Sequence, residues 1–298
     1  MNRITPHLWY DREAVEAAEL YSSIFPDSRV THASTLHDTP SGDADMVSFA
    51  VLGQPFLAIS GGPLFKFTPA VSFVVHSKNV DELWDELSRD GTVLMPLGAY
   101  PFSERFGWIA DRYGLSWQLM SAGDDSGQRV TPKLMFVGEV CGRAEEAVDF
   151  YTSVFPDAEV GPVLRHGAVA GPDEEGTISH AVFTLAGQEF AAMDSAYEHG
   201  FGFNEAISFM VGCETQDEID YYWDRLSAVP EAEQCGWLKD KFGVSWQVVP
   251  SALNEMLSNG TPEQIARVTK AFLPMKKFDL AELKRAYEGA EAPVGGES

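Results

Sequence analysis

The residue types that usually carry chemistry are thinly spread in this chain. Cys141, Cys213 and Cys235 all fall in the second half and show no Cys-x-x-Cys spacing. Neither a disulfide framework nor a structural zinc site is expected, and the thiols read as small apolar fillers. His180 and His199 lack a ligand-like spacing and read as surface or loop histidines. No P-loop, His-Glu-x-x-His run or Gly-x-Ser-x-Gly elbow occurs. The segment that does recur is chemically neutral. Gly107-Trp-Ile-Ala-Asp-Arg-Tyr-Gly-Leu-Ser-Trp-Gln118 returns as Gly236-Trp-Leu-Lys-Asp-Lys-Phe-Gly-Val-Ser-Trp-Gln247. Glutamine and tryptophan suit a mostly apolar ligand site with a few fixed polar groups. Neighbours on a strand point to opposite faces. If Gln118 faces a cavity, Trp117 packs under helices, and the same holds for Gln247 and Trp246. Trp108 and Trp237, with Phe67 and Phe203, are then expected as cavity walls.

Three further blocks repeat in the same order, at an offset of about 130 residues. Tyr21-Ser-Ser-Ile-Phe-Pro-Asp27 returns as Tyr151-Thr-Ser-Val-Phe-Pro-Asp157. The stretch from Val47 to Ser60 returns from Ser179 to Asp194. Phe65-Lys-Phe-Thr-Pro-Ala-Val-Ser-Phe73 returns as Phe201-Gly-Phe-Asn-Glu-Ala-Ile-Ser-Phe209. The chain is a tandem duplication.

Within the first copy, residues 4–10 read as a strand. Asp11 is placed to cap a helix over 13–25, and Pro26-Asp27 stops it. Strands follow at 30–36, 47–52 and 56–59, the last two joined by a tight turn at Gly53-Gln54. The pattern restarts with a strand at 70–76, a helix at 81–89, and strands at 91–94, 105–110 and 115–119. Arg112-Tyr-Gly114 is a turn. Each half is therefore βαβββ twice, and the second repeats that order from Thr131 to Val249. Thr261-Pro-Glu-Gln starts a helix to about Phe272, and Asp279 caps another over 280–287. The expected organisation is a domain at 1–121, a linker at 122–129, a domain at 130–250, a helical extension at 251–288 and a disordered tail at 289–298.

The 298 residues carry a formal charge of -24 and no basic stripe. A phosphate backbone would be repelled, so nucleic acid is not an expected partner. The opening residues lack a secretory apolar run, and no stretch is long and apolar enough for a membrane helix. A soluble cytoplasmic protein without membrane partners is expected.

A doubled βαβββ unit resembles the vicinal oxygen chelate superfamily of glyoxalase I, extradiol dioxygenases, and bleomycin- and fosfomycin-resistance proteins. Pro6-His-Leu-Trp-Tyr-Asp11, the Tyr21 block, the Phe65 block and the Asp111 and Asp240 segments resemble its PhnB-like branch, often labelled 3-demethylubiquinone-9 3-methyltransferase. Phe203-Asn-Glu-Ala-Ile-Ser208, Cys213-Glu-Thr-Gln216, Tyr221-Tyr-Trp-Asp-Arg-Leu226 and Gln234-Cys-Gly-Trp-Leu-Lys-Asp240 follow it further. The resemblance implies an α+β fold of tandem domains, each a curled mixed sheet. It also implies a divalent metal held from the first, fourth, fifth and eighth strands, usually by His or Glu.

Those strands carry His7 and Lys133, then Ala58 and Ala192 with Ser60 and Asp194 two residues on, then Ser72 and Ser208, then Gln118 and Gln247. Neither half has the usual set, and serine and neutral amides hold transition metals poorly. His7, His76 and Gln118 are the remaining metal candidates, with His7 and His76 as the pair. Ser72, Val74 and His76 share a strand face. His7 and Asp194 are the catalytic candidates; His7 lining a cavity and Asp194 capping a turn before Ser195 are the alternatives.

The expected function is binding of a small organic molecule through His7, Ser72, His76, Trp108, Gln118, Phe67, Lys133, Ser208, Trp237, Gln247 and Phe203, without a cofactor. The alternative is an enzyme of the same fold, a lyase, isomerase or dioxygenase-like protein using a divalent metal or pocket acid/base residues. A Rossmann-type methyltransferase is not expected. Gly61-Gly62-Pro63 runs into Phe65-Lys-Phe67 with no helix after it, whereas such a cofactor needs a glycine-rich strand-to-helix loop. The chain is expected to act as a monomeric fused pseudo-dimer or as a homodimer, with two pockets of different chemistry.

Overall fold

The computed structural model describes residues 4–39, 42–122, 129–168 and 171–289. The expected linker at 122–129 and tail at 289–298 fall almost wholly outside them. The first unit is β1 (Ile4–Tyr10), α1 (Ala14–Ile24), β2 (Arg29–Thr39), β3 (Gly42–Val51) and β4 (Gln54–Ser60). The second is β5 (Val71–Ser77), α2 (Val80–Leu87), β6 (Thr92–Tyr100), β7 (Ser103–Ala110) and β8 (Ser116–Ser121). The third is β9 (Arg129–Phe136), α3 (Ala144–Val154), β10 (Glu159–Arg165), β11 (Ile178–Leu185) and β12 (Gln188–Asp194). The fourth is β13 (Ile207–Cys213), α4 (Gln216–Leu226), β14 (Trp237–Lys239) and β15 (Ser245–Pro250). It has one strand fewer than the sequence pattern suggests, with a short 3-10 turn at Pro230–Ala232 between α4 and β14.

By packing, the chain divides into a compact unit at 4–208 and another from Phe209 onward. Within 4–208 one run of strands is ordered β1-β4-β3-β2. A separate eight-stranded sheet is ordered β10-β11-β12-β9-β5-β8-β7-β6. The eight-stranded sheet therefore does not coincide with either half. It joins the second βαβββ unit of the first half to the first βαβββ unit of the second. The seam is β5 against β9, antiparallel, with Ser72 opposite Lys133, Val74 opposite Thr131 and His76 opposite Arg129. In the same region Trp9 N donates to Ala206 O and Met135 N to Ala70 O, both at 2.8 Å. These are equivalent bonds from equivalent positions of the two copies.

The helices form because their apolar residues recur at helical spacing. α1 buries Ala14, Ala17, Ala18 and Tyr21, the i, i+3, i+4, i+7 stripe of an amphipathic helix. Its N-terminus is not capped by Asp11. The Ala14 N–H instead donates to Ser60 Oγ at 3.3 Å, from the end of β4. The equivalent helix α3 uses the equivalent residue. Asp194 Oδ1 accepts from Ala144 N at 3.1 Å and Gly142 N at 2.7 Å, and Oδ2 accepts from Ile178 N at 3.0 Å. A carboxylate at a helix N-terminus is favoured by the exposed N–H groups and the macrodipole. The tight turn sits one residue earlier than expected. Leu52 and Gly53 both have positive φ, as do Ala186 and Gly187, which is the geometry of a two-residue type I′ hairpin turn.

One buried carboxylate organises each recurring Asp-x-x-Gly-x-Ser-Trp-Gln segment. Asp111 Oδ1 accepts from Tyr113 N at 2.9 Å and Leu115 N at 3.0 Å. Its Oδ2 accepts from Trp117 Nε1 at 2.9 Å and the Tyr21 hydroxyl at 2.6 Å. Asp240 does the same for Phe242 N, Val244 N and Trp246 Nε1. Gly114 and Gly243 take the positive φ that the turn requires. Trp117 is fully buried and meets Tyr21, Phe25 and Phe73 at 5.2, 5.1 and 5.6 Å between centroids. It thus ties α1 to β8 and β5. On β7, Gly107 lets the Trp84 ring of α2 lie against the backbone, since a Cβ there would come within 2.5 Å of that ring.

From Phe209 onward, β14-β15-β13 form the strand order. The C-terminal helices α5 (Ser251–Asn259), α6 (Pro262–Phe272) and α7 (Leu280–Glu288) follow. Thr261 and Gln264 form the expected capping box, and Asp279 caps α7. Helix α5 was not anticipated from the sequence pattern. The extension is docked by Gln216, which donates to Phe278 O at 3.1 Å and accepts from Leu280 N at 2.9 Å. Cys213, Cys235 and Cys141 are free thiols.

Replacing Asp111 by alanine orphans two backbone N–H groups, an indole N–H and a hydroxyl. The expected loss of stability is on the order of 3–5 kcal/mol. Asp111→Asn keeps one acceptor oxygen but turns an NH2 toward the Trp117 N–H, and should cost about 1–3 kcal/mol. Urea denaturation reads both values, and a loss below about 0.5 kcal/mol for the alanine variant would contradict this role.

Candidate functional site

Strand alternation sorts the eight-stranded sheet into two faces. One carries Phe73, Val75, Trp117, Leu119, Ile109, Leu134, Phe190, Ala192 and Phe183, all buried, and faces the helices. The opposite face is given by register. Ser72 lies beside Lys133 and Lys133 beside Ala191. Val74 lies beside Gln118, and Gln118 beside Trp108. Ala191 lies beside Val182, which puts His180, two residues earlier on β11, on this face too. Ser72, His76, Trp108 and Gln118 come from the first half, and Lys133 from the second. The sequence expectation assigned them to two pockets, yet they share one surface.

Gln118 is fixed in place: its Nε2 donates to Ser72 Oγ at 2.9 Å, and both residues are buried. Trp108 is half-buried, and its Nε1 donates to Ser116 Oγ at 2.7 Å. Its ring therefore stands beside Gln118 on this face. Nearby, Glu189 Oε1 accepts from Thr131 Oγ1 at 2.7 Å and from Arg129 Nε at 3.1 Å.

Three basic groups stand together here. Burial holds the Lys133 ammonium down to about 8. Burial, and then the positive charge of Lys133, hold His180 down to about 4. His76 is also lowered, first by burial and then by Arg129. At neutral pH both imidazoles are neutral, able to donate and accept hydrogen bonds. His180 had been assigned to a surface or loop. Its alternation with Val182 and Thr184 on one strand was the available signal.

Other expected residues lie elsewhere. Asp194 is on the helix-facing side of β12, with both oxygens engaged by backbone N–H groups. Burial pushes its carboxyl up, and these bonds oppose the shift. It serves as a helix cap. The inward fourth-strand position is Ala191 and not Ala192, which is one residue off the sequence alignment. Phe67 packs edge-on against Tyr10 at 4.9 Å, and Phe203 against Phe136 at 5.2 Å. Tyr10 and Phe136 point away from His7 and Lys133 on their strands, so the partly buried Phe67 and Phe203 make these contacts on the helix-facing side.

His7 is buried on β1, in the strand run separate from the eight-stranded sheet that holds His76. The two do not form one ligand pair. Ser208 is buried on β13, while Trp237 pairs with Gln247 across β14 and β15. Among the described residues, no group of three or more His, Cys, Asp or Glu side chains gathers as a metal centre would require. The metal positions implied by the family resemblance are Lys133, Ala191, Ser72 and Gln118 on this sheet. An ammonium, a methyl, a hydroxyl and an amide do not fit a divalent transition metal.

Comparison with known proteins agrees with this architecture. A family model described as 3-demethylubiquinone-9 3-methyltransferase matches residues 2–120 and 128–249. The PhnB protein of Bacillus cereus, carrying the same methyltransferase label, is 36% identical, with 40% of this chain and 98% of that one covered, at a TM-score of 0.37. Glyoxalase I of Zea mays is 12% identical over 86% of this chain and 96% of its own, at a TM-score of 0.52. It shares the tandem α+β fold. None of the curated proteins matches.

Burial of His7 has a consequence for stability. Burial lowers its pKa from 6.5 to about 4, so the unfolded chain binds the extra proton between those values. The stability it contributes is present above pH 6.5 and is lost as pH falls toward 4, by up to about 3 kcal/mol. His7→Gln should remove that part of the acid dependence, read by urea titrations at pH 6.5 and 4.5. An unchanged slope would contradict it.

Proposed function

This chain belongs to the 3-demethylubiquinone-9 3-methyltransferase family, and from that premise we propose that it binds a small organic molecule on the helix-free face of its eight-stranded sheet. The observation that carries this reading is the fixed Gln118–Ser72 pair, set beside the Trp108 wall and Lys133. Ligand sites combine apolar walls with a few oriented polar groups, and this surface has that composition. The amide gives one oriented donor–acceptor, the indole gives stacking area, and Lys133 gives a donor.

The family's label names methyl transfer, but the residues here do not support a nucleotide-type methyl donor. The connection from β1 to α1 is Asp11-Arg12-Glu13, with no glycine, and the equivalent one from β9 to α3 places Gly138 and Gly142 four residues apart, not in the Gly-x-Gly-x-x-Gly pattern that lets a helix N-terminus approach such a cofactor. The four side chains at the implied metal positions do not suit a metal either. A lyase, isomerase or dioxygenase-like activity is the alternative. The cluster of Lys133, His180 and His76 favours catalysis of that kind by protein acid/base groups.

Two experiments test the reading. In a thermal-shift screen of small organic compounds, a ligand at 100 times its dissociation constant adds about 2.7 kcal/mol of stability. Gln118→Leu should weaken such ligands at least tenfold, while His37→Ala on the exposed β2 should not. Ligands insensitive to Gln118→Leu would contradict the assignment. Elemental analysis of untagged protein should show no zinc, nickel, iron or manganese near one per chain. A stoichiometric metal lost in Gln118→Leu would overturn the metal-free reading.

A further inference from the structure

We propose that Lys133 is a covalent capture site, whose amine condenses with the carbonyl group of an aldehyde or ketone ligand held on the same face. This rests on the proposed ligand face and adds the class of ligand and the bond it forms.

Lys133 sits in the middle of the sheet, on β9 between β5 and β12. It is partly exposed, so a ligand can reach it. Among the described residues its Nζ has no hydrogen-bond or ion-pair partner. The one carboxylate on the neighbouring strands of this face, Glu189, is already taken up by Arg129 and Thr131. The charged and titratable groups facing Lys133 are thus His180 on β11, His76 on β5, and the Arg129–Glu189 pair. A lysine placed among imidazoles and away from a counter-ion is poorly stabilised as an ammonium.

The drop from 10.5 to about 8 makes the free amine about 300-fold more abundant at neutral pH than for an ordinary lysine. A desolvated amine of this kind is the nucleophile used for Schiff-base chemistry.

The step balances without any oxidant or reductant. The amine lone pair attacks the carbonyl carbon, and the nitrogen gives up a proton as the carbonyl oxygen gains one. The carbinolamine then loses its hydroxyl with a proton as water, leaving a C=N bond to Nζ. His180, neutral and on the adjacent strand pair, relays the proton. Gln118 and Ser72 flank the carbonyl oxygen before it leaves.

The test treats the full-length protein at pH 7 with propionaldehyde or pyruvate and sodium cyanoborohydride, and maps the reduced secondary amines by peptide mass spectrometry. Adduct on Lys133 at least tenfold above any other lysine is expected, and its rate should climb with pH through about 8. Lys133→Arg keeps the charge and fold but forms no imine, so the dominant adduct should vanish while circular dichroism and the unfolding temperature hold. Label spread evenly over the lysines, or absent from Lys133 with both probes, overturns the proposal. In that case, compounds whose thermal shift still depends on Gln118 show that the ligand face stands and only covalent capture has failed. If no compound depends on Gln118, the ligand face falls as well.

Discussion

A buried aspartate in each half, holding a turn and a tryptophan at once, is the constraint on which the rest of the structure depends. Asp111 spends its two oxygens on two turn N–H groups, the Trp117 indole and the Tyr21 hydroxyl. Burial pushes its carboxyl up from the usual range, and those four donors pull it back. A carboxylate without a cation survives in the core only because every one of these bonds is made. The outcome is positional. With the indole locked among Tyr21, Phe25 and Phe73, the next residue must face the other way, and Gln118 is delivered to the face opposite the helices. The chemistry-bearing look of this segment is therefore mostly architectural, and the polar group it turns to the helix-free face is the residue after the tryptophan.

The second constraint is where strand edges find partners. Each half contains two βαβββ units, and the first half gathers a common aromatic core around Trp117 and Phe73, with Phe56 of β4 against Phe73 at 5.0 Å. The edge of β5, however, pairs with β9 of the other half. A strand edge is satisfied equally well by either copy, so duplication permits this exchange. It brings Ser72 and Gln118 of one copy against Lys133 of the other. A surface of mixed ancestry follows, with neutral imidazoles and a poorly solvated amine inside a molecule of net charge -24.

Much of this was legible in the sequence. The repeat blocks located most strands and helices and both hairpin turns, although β3 begins five residues earlier and β6 ends six residues later than the pattern places them, and the forced opposition of Trp117 and Gln118 assigned their faces. What escaped was set by distance and by parity. Partner choice between β1 and β9 for β5 leaves no trace in local periodicity, so the division into two separate pockets was inferred from the repeat. A one-residue misalignment on β12 placed Asp194 inward, whereas its parity points it at the α3 N-terminus. His180 looked like a loop histidine because no partner lies near it in sequence. Its neighbours arrive only through strand pairings, Lys133 through two and His76 through three. Helix α5 was missed although Leu253, Met256 and Leu257 keep helical spacing, because the nine-residue segment is short and follows β15 directly.

β5 and β9 are neighbours across the two halves, so that one sheet face is built from both. Interstrand nuclear Overhauser contacts in isotope-labelled protein test this most directly. Backbone contacts linking Ser72 to Lys133, Val74 to Thr131 and His76 to Arg129 are predicted. Contacts from β5 to β1 in their place would contradict it, because each half would then close on itself and Lys133 would be separated from Gln118.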